Sequence, residues 1–205
     1  MKIEEVYRML FGDRLRFIDL SGTELKGKVI CHTTPSYSKS YISRDVDGFV
    51  KAVQKHQGEY GFDGIITHKQ YAEEREEGMY LTKTNGAVPV FGAFGGLQGL
   101  DGFGGKNIGI FGTPYVPEYV VKLWAAVLGI KVDEDDFDFE ERPVELNEFE
   151  VHVPTCSADA RLQRIQLWLA YSEIVQAVGR ARLVSNDCEV HVFAKLPVDG
   201  AELAA

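Results

Sequence analysis

Short apolar runs along this chain alternate with segments of helical period, a pattern that predicts a parallel sheet flanked by helices. Met1–Phe11 reads as an N-terminal helix, and the turn Lys26-Gly27-Lys28 leads into a strand over Val29-Ile30-Cys31. Val46, Phe49, Val50 and Val53 recur at helical spacing, which predicts a helix over Asp45–Gln57. Phe62–Thr67 reads as a buried strand, with a charged helix over His68–Glu77 after it. Ala87–Phe91 and Asn107–Phe111 are short apolar strands suited to burial on both faces. Pro117–Leu128 predicts a helix with proline in its first turn and Val120, Leu123, Trp124 and Val127 on its inner face. Glu148–Val153 reads as a strand, Ala158–Val178 as a long helix and Glu189–Ala194 as a final strand. Helices between most strand pairs imply a mostly parallel sheet of about five or six strands.

Composition narrows the class. The 205 residues suffice for one domain with its own core, and 45% hydrophobic with 26% charged residues is ordinary for a globular protein. No apolar stretch approaches the roughly 20 residues that span a bilayer, and the N-terminus lacks a signal-peptide pattern. The expectation is a cytoplasmic chain with no membrane partner. Cys31, Cys156 and Cys188 are too widely spaced for a metal pair, and no two histidines among His32, His56, His68, His152 and His191 stand at i, i+4. No metal site is expected. Trp124 and Trp168 fall at apolar helical positions and read as core. The net charge of −9 argues against a surface that grips nucleic acid all round. It leaves room for a local basic track, because seven of the 31 acids cluster in Asp133–Glu141, which reads as a solvated loop.

Three runs carry candidate chemistry. Gln176-Ala177-Val178-Gly179-Arg180-Ala181-Arg182 puts a glutamine, a glycine and two arginines at the tail of the long helix, shortly before the last strand. Arginine stays charged and presents a planar fork of donors, which suits charge developing on phosphate. Phe91–Phe103, rich in glycine, joins one strand to the next, where an open α/β sheet binds ligands. Gly64-Ile65-Ile66-Thr67-His68-Lys69 ends a buried strand with a hydroxyl and a cation at a helix start, a serviceable phosphate contact.

In order and spacing these runs resemble three signature motifs of superfamily-two helicases. Gln176–Arg182 resembles the sixth, Q-x-x-G-R-x-x-R, although Arg182 follows Arg180 by two positions where many members have three. Gly99-Leu100-Asp101-Gly102-Phe103 resembles the fifth, with its G-x-D core, and Gly64–Lys69 the fourth. Phe111-Gly112-Thr113-Pro114 is similar to a turn in helicases of plasmids, viruses and other mobile elements, and Phe17–Thr23 to the segment joining two motor halves. The resemblance implies a three-layer α/β fold with a mostly parallel RecA-like sheet and helices on both faces. It divides the chain into an N-terminal helix and linker (1–27), a RecA-like helicase C-terminal domain (28–198) and a tail (199–205).

It also implies roles. Arg180 and Arg182 would be catalytic arginines and Gln176 would contact the nucleotide or the attacking water. Gly99, Asp101 and Gly179 would lie on the nucleotide side, while Thr67, His68 and Lys69 would hold the nucleic-acid backbone. Gly22–Lys28 fits G-x-x-x-x-G-K by spacing, but Val29 stands where a phosphate loop needs Ser or Thr, and an apolar strand follows instead of a helix. Asp133-Glu134-Asp135-Asp136 fits a magnesium-holding phrase only loosely and lies in an acidic loop. ATP and Mg2+ would therefore be held mainly by an upstream RecA-like domain. Single-stranded or duplex DNA, or RNA, would be the other partner. The competing readings are a stand-alone α/β ligand-binding or regulatory module, and a small hydrolase or phosphotransferase built on the 92–105 loop.

Overall fold

The computed structural model describes residues 3–16, 24–72, 90–99, 101–133, 137–147 and 149–204. It divides into two units, one of residues 24–114 and 173–205 and the other of residues 1–23 and 115–172.

The first unit holds the sheet. β1 (Lys28–His32), β2 (Gly64–Thr67), β3 (Val90–Ala93), β4 (Ile108–Phe111), β7 (Glu189–Phe193) and β8 (Glu202–Leu203) form six strands in the order β3-β2-β4-β7-β1-β8. Every neighbouring pair is parallel. The central strands β2 and β4 are buried along their whole length, as a sheet covered on both sides requires. β3 follows the expected apolar run, shifted toward its C-terminal side; residues 87–89 lie outside the described ones. β8, in the segment expected to be a tail, pairs Ile30 with Glu202 and Cys31 with Leu203.

Helices cover both faces in a three-layer α/β arrangement. One face carries α3 (Val46–Tyr60), which runs three residues past the end its apolar spacing predicts. Asp45 caps α3 by accepting from the Gly48 amide at 2.8 Å. Gly61 ends it in the left-handed conformation at φ 65° and donates to the Gln57 carbonyl. Phe49 and Val53 of α3 join Ile65, Phe111 and Phe193 of the sheet in one apolar cluster. The opposite face presents Val29, Cys31, Ile66, Ile108, Ile110, Val190 and Val192, all buried. Phe103 packs there, in space left by Gly64 and Gly92; a Cβ on either would come within 2.8 Å of its ring. The charged helix expected after β2 is described over α4 (Lys69–Ala72), and residues 73–77 lie outside the described ones.

The second unit contains α1 (Ile3–Phe11), α5 (Glu118–Val127), an antiparallel hairpin of β5 (Glu140–Leu146) and β6 (Phe149–Thr155), and the start of α6 (Ala160–Gly179). Two expectations are corrected here. Val121 and Ala125 are the buried residues of α5, whereas Leu123 and Val127 are 62% and 56% exposed. β6, expected in the main sheet, pairs instead with β5 in its own two-stranded sheet. Of the acidic run only Glu140 and Glu141 enter β5; Asp133 and residues 137–139 lie outside helix and strand as expected, and residues 134–136 lie outside the described ones. Arg142 pins the hairpin, donating to the Thr155 hydroxyl at 2.7 Å and to Asp138 at 2.6 Å. Trp124 and Trp168 meet edge to face at 5.0 Å beside the local core of Val121, Ala125, Cys156, Leu162 and Ile165. No helix among the described residues is long and apolar enough to cross a membrane.

Candidate functional site

The end of α6 is built by a change of helical type. Ile174, Ala177 and Val178 are buried, and Gln176 and Gly179 are exposed. Beyond Gly179 the chain tightens: Arg180, Ala181 and Arg182 donate to the carbonyls three residues back, at 3.1, 3.1 and 3.2 Å. Arg182 then takes a left-handed conformation at φ 55°. Asn186 holds this exit, its side-chain amide donating to the Ala181 and Arg182 carbonyls at 3.3 and 3.0 Å. Arg180 is half-buried, and its Nε is shielded from solvent without a hydrogen-bond partner. A buried unsatisfied donor costs about 1–3 kcal/mol, more when charged, so it favours an incoming acceptor. Arg182 lies outward and donates from Nη2 to Asp101 Oδ1 at 2.6 Å.

That ion pair joins two of the three runs singled out in the sequence. Asp101 belongs to the glycine-rich loop after β3, where Gly95, Gly99 and Gly105 take φ of 75°, 77° and 73°. The loop meets the α6 segment at two further points. The Gly95 amide donates to Glu173 Oε2 at 2.7 Å, and the Gly105 amide to the Ala181 carbonyl at 3.0 Å. Leu100 lies outside the described residues.

The third run is divided. Thr67 is fully buried, and its hydroxyl donates to the Phe111 carbonyl at 2.7 Å. His68 is buried with Nε2 3.0 Å from the Tyr37 carbonyl. A carbonyl can only accept, so Nε2 carries the proton. Burial draws the His68 pKa down to about 4, which keeps the ring neutral. Both side chains tie strand exits together inside the unit, and of the three only Lys69 is exposed. Thr113, in the Gly-Thr-Pro turn, is a brace of the same kind. Its buried hydroxyl donates to the Ser36 carbonyl at 2.6 Å and accepts from the Lys195 amide at 3.0 Å.

The Gly22–Lys28 spacing yields no phosphate cradle at its described end. The amides of Lys26 and Gly27 donate to the Leu183 carbonyl, and that of Lys28 to the Cys188 carbonyl. Among the described residues no group of three or more His, Cys, Asp or Glu could hold a metal ion. The unpartnered Nε of Arg180 suits an anion such as phosphate.

Sequence reasoning missed a histidine cluster. His32, His56 and His191, scattered along the chain, meet between α3, β1 and β7. His32 Nε2 lies 3.1 Å from His191 Nδ1, and Tyr60 stacks on His191 at 4.1 Å. Burial, then the neighbouring His191 and His56, lowers the His32 pKa to about 4. His56 and His191 are also lowered, by burial first, against the opposing pull of Glu59 and Glu189 at 3.5 Å. No sequence signal announces it, because the rings converge only once β1 pairs with β7 and α3 packs over them.

No protein-family model matches the chain, and no curated protein matches it. Among solved structures, the apo form of XPD, a superfamily-two helicase, is similar over 93% of this chain at 16% identity and a TM-score of 0.52. This chain spans 42% of the length of that one. At such identity the likeness concerns the fold alone, a RecA-like α/β sheet with helices.

Proposed function

We propose that this chain is the second motor domain of an ATP-dependent nucleic-acid helicase or translocase, one that supplies an arginine finger and strand contacts to a nucleotide bound mainly by another RecA-like domain. The observation that carries this reading is Arg180, whose Nε is buried and unpartnered at the end of α6, in a fold like that of XPD. A guanidinium held in that way suits a phosphate oxygen whose charge grows during transfer. Bound ATP would supply the chemistry, γ-phosphoryl transfer to water, and Arg180 would hold charge on the transferred group. Gln176, exposed four residues earlier, would reach the nucleotide or the attacking water.

The position of Lys69 after β2 suits a backbone phosphate, and such contacts make binding salt-sensitive and largely blind to sequence. The likeness to helicases of mobile elements rests on the Gly112-Thr113-Pro114 turn. ATP hydrolysis by the chain joined to a partner RecA-like domain, with and without single-stranded DNA, tests the proposal. DNA-stimulated hydrolysis that disappears in Arg180→Ala supports it, and undiminished turnover in that variant overturns it.

A further inference from the structure

We infer that Glu173 and Arg182 form a two-point latch that binds the glycine-rich loop to the end of α6, so that the loop and the Arg180 turn move as one body and pass nucleic-acid binding on to nucleotide turnover. This rests on the motor reading for its consequence, although the latch itself rests on geometry alone.

The loop needs such a restraint. Gly95 and Gly99 take positive φ with nothing within 4 Å of where a Cβ would stand, so packing at those glycines does not fix the backbone. One attachment is charge-assisted, from the Gly95 amide to Glu173 Oε2 at 2.7 Å, and it crosses 78 residues of sequence. The second runs from Arg182 Nη2 to Asp101 Oδ1 at 2.6 Å and crosses 81. Between them, the backbone bond from Gly105 to Ala181 closes the far end of the loop. Glu173 lies seven residues before Arg180, about two helical turns, so its carboxylate and the arginine turn share one rigid rod. The Phe94 amide at the start of the loop donates to the Thr67 carbonyl at 3.0 Å, two residues from Lys69, so a strand held at that exit that shifts the loop also shifts Arg180. Glu173 is a positioning residue: it touches neither nucleotide nor strand and acts through the Gly95 amide.

The test compares Glu173→Ala, which removes the acceptor, with Glu173→Gln, which keeps one. Amide hydrogen exchange is read over residues 92–105 in the 205-residue chain. Loss of a charge-assisted bond should speed exchange at Gly95 about tenfold or more in Glu173→Ala, with Glu173→Gln, whose neutral carbonyl still accepts, between it and wild type. Unchanged exchange in Glu173→Ala overturns the latch. The same variants are then placed in the chain joined to its partner domain, and the ratio of DNA-stimulated to unstimulated ATP turnover is measured. A general structural defect lowers both rates, whereas a lost latch lowers the ratio severalfold and Glu173→Gln restores it in part. Faster loop exchange with an unchanged ratio overturns the coupling while the motor reading stands. If wild type shows no stimulated turnover at all, the motor reading fails and the coupling with it, and the exchange result is what then separates a real latch from none.

Discussion

Arg182 donates to Asp101 at 2.6 Å with both side chains largely in solvent, at 59% and 83% exposure. An ion pair so hydrated contributes at most about 1 kcal/mol to stability. Arg182→Ala should therefore leave the urea midpoint nearly unchanged and at high salt indistinguishable from wild type. A loss of several kcal/mol would mean that Arg182 carries packing not visible in its contacts.

The buried histidines make stability depend on pH. An unfolded histidine titrates near 6.5, whereas His32 and His68 are held to about 4 when folded. Between those values the unfolded chain binds protons that the folded one refuses. Stability is fully present above pH 6.5 and is lost as pH falls toward 4. For His68, buried and bonded to Tyr37, the loss is at most about 3 kcal/mol. The groups facing the cluster are Glu59 and Lys55 on α3 and Glu189 on β7, and the two carboxylates moderate the loss at His56 and His191. Urea midpoints measured from pH 7.5 to 5 should fall steadily in wild type. The slope should be shallower in His68→Gln, which keeps a donor for Tyr37 but cannot titrate. Parallel slopes would sink the assignment.

Two glycines should respond in opposite directions. Gly109 stands in β4, where a Cβ would lie 2.6 Å from the Phe62 ring and 2.7 Å from that of Phe111. Gly109→Ala must push aromatic rings that are already packed, and should destabilise by about 1–3 kcal/mol. Gly58 lies within α3 with nothing within 4 Å of a Cβ, so Gly58→Ala should stabilise by about 0.5–1 kcal/mol through helix propensity. Thermal melts of the two variants check both signs.

How far these features could be read from the chain depended on whether the signal was local. β2 and β4 are short apolar runs because both faces are buried, and a run of that kind is visible without partners. α5 misleads because it is apolar almost all round. Val120, Leu123, Trp124 and Val127 make one stripe and Val121, Ala125 and Leu128 another, so periodicity does not choose the buried face. β5 hides behind Glu-Glu-Arg-Pro, residues poorly suited to strands, and is defined by its pairing with β6. The Gln176–Arg182 run stands out in the sequence because its residues are contiguous. The burial of Thr67 and His68 does not, because their acceptors lie 44 and 31 residues away. Polar residues at a strand exit look like surface until the neighbouring exits are in place.

Arg180 allows a sharper test than truncation. Lysine keeps the positive charge but has no Nε donor and no planar fork, so it meets phosphate as a single point charge. If the buried Nε of Arg180 awaits an acceptor, Arg180→Lys should recover little of what Arg180→Ala loses, a loss on the order of a thousandfold or more for a finger of this type. Nucleic-acid affinity, which the proposed motor would draw in part from Lys69, should stay near wild type in both variants. The comparison is turnover and DNA affinity of the two variants in the joined chain, at one salt concentration. Recovery of most of the turnover by lysine would show that charge alone is needed. Arg180 would then act as a general electrostatic anchor and not as a directed finger.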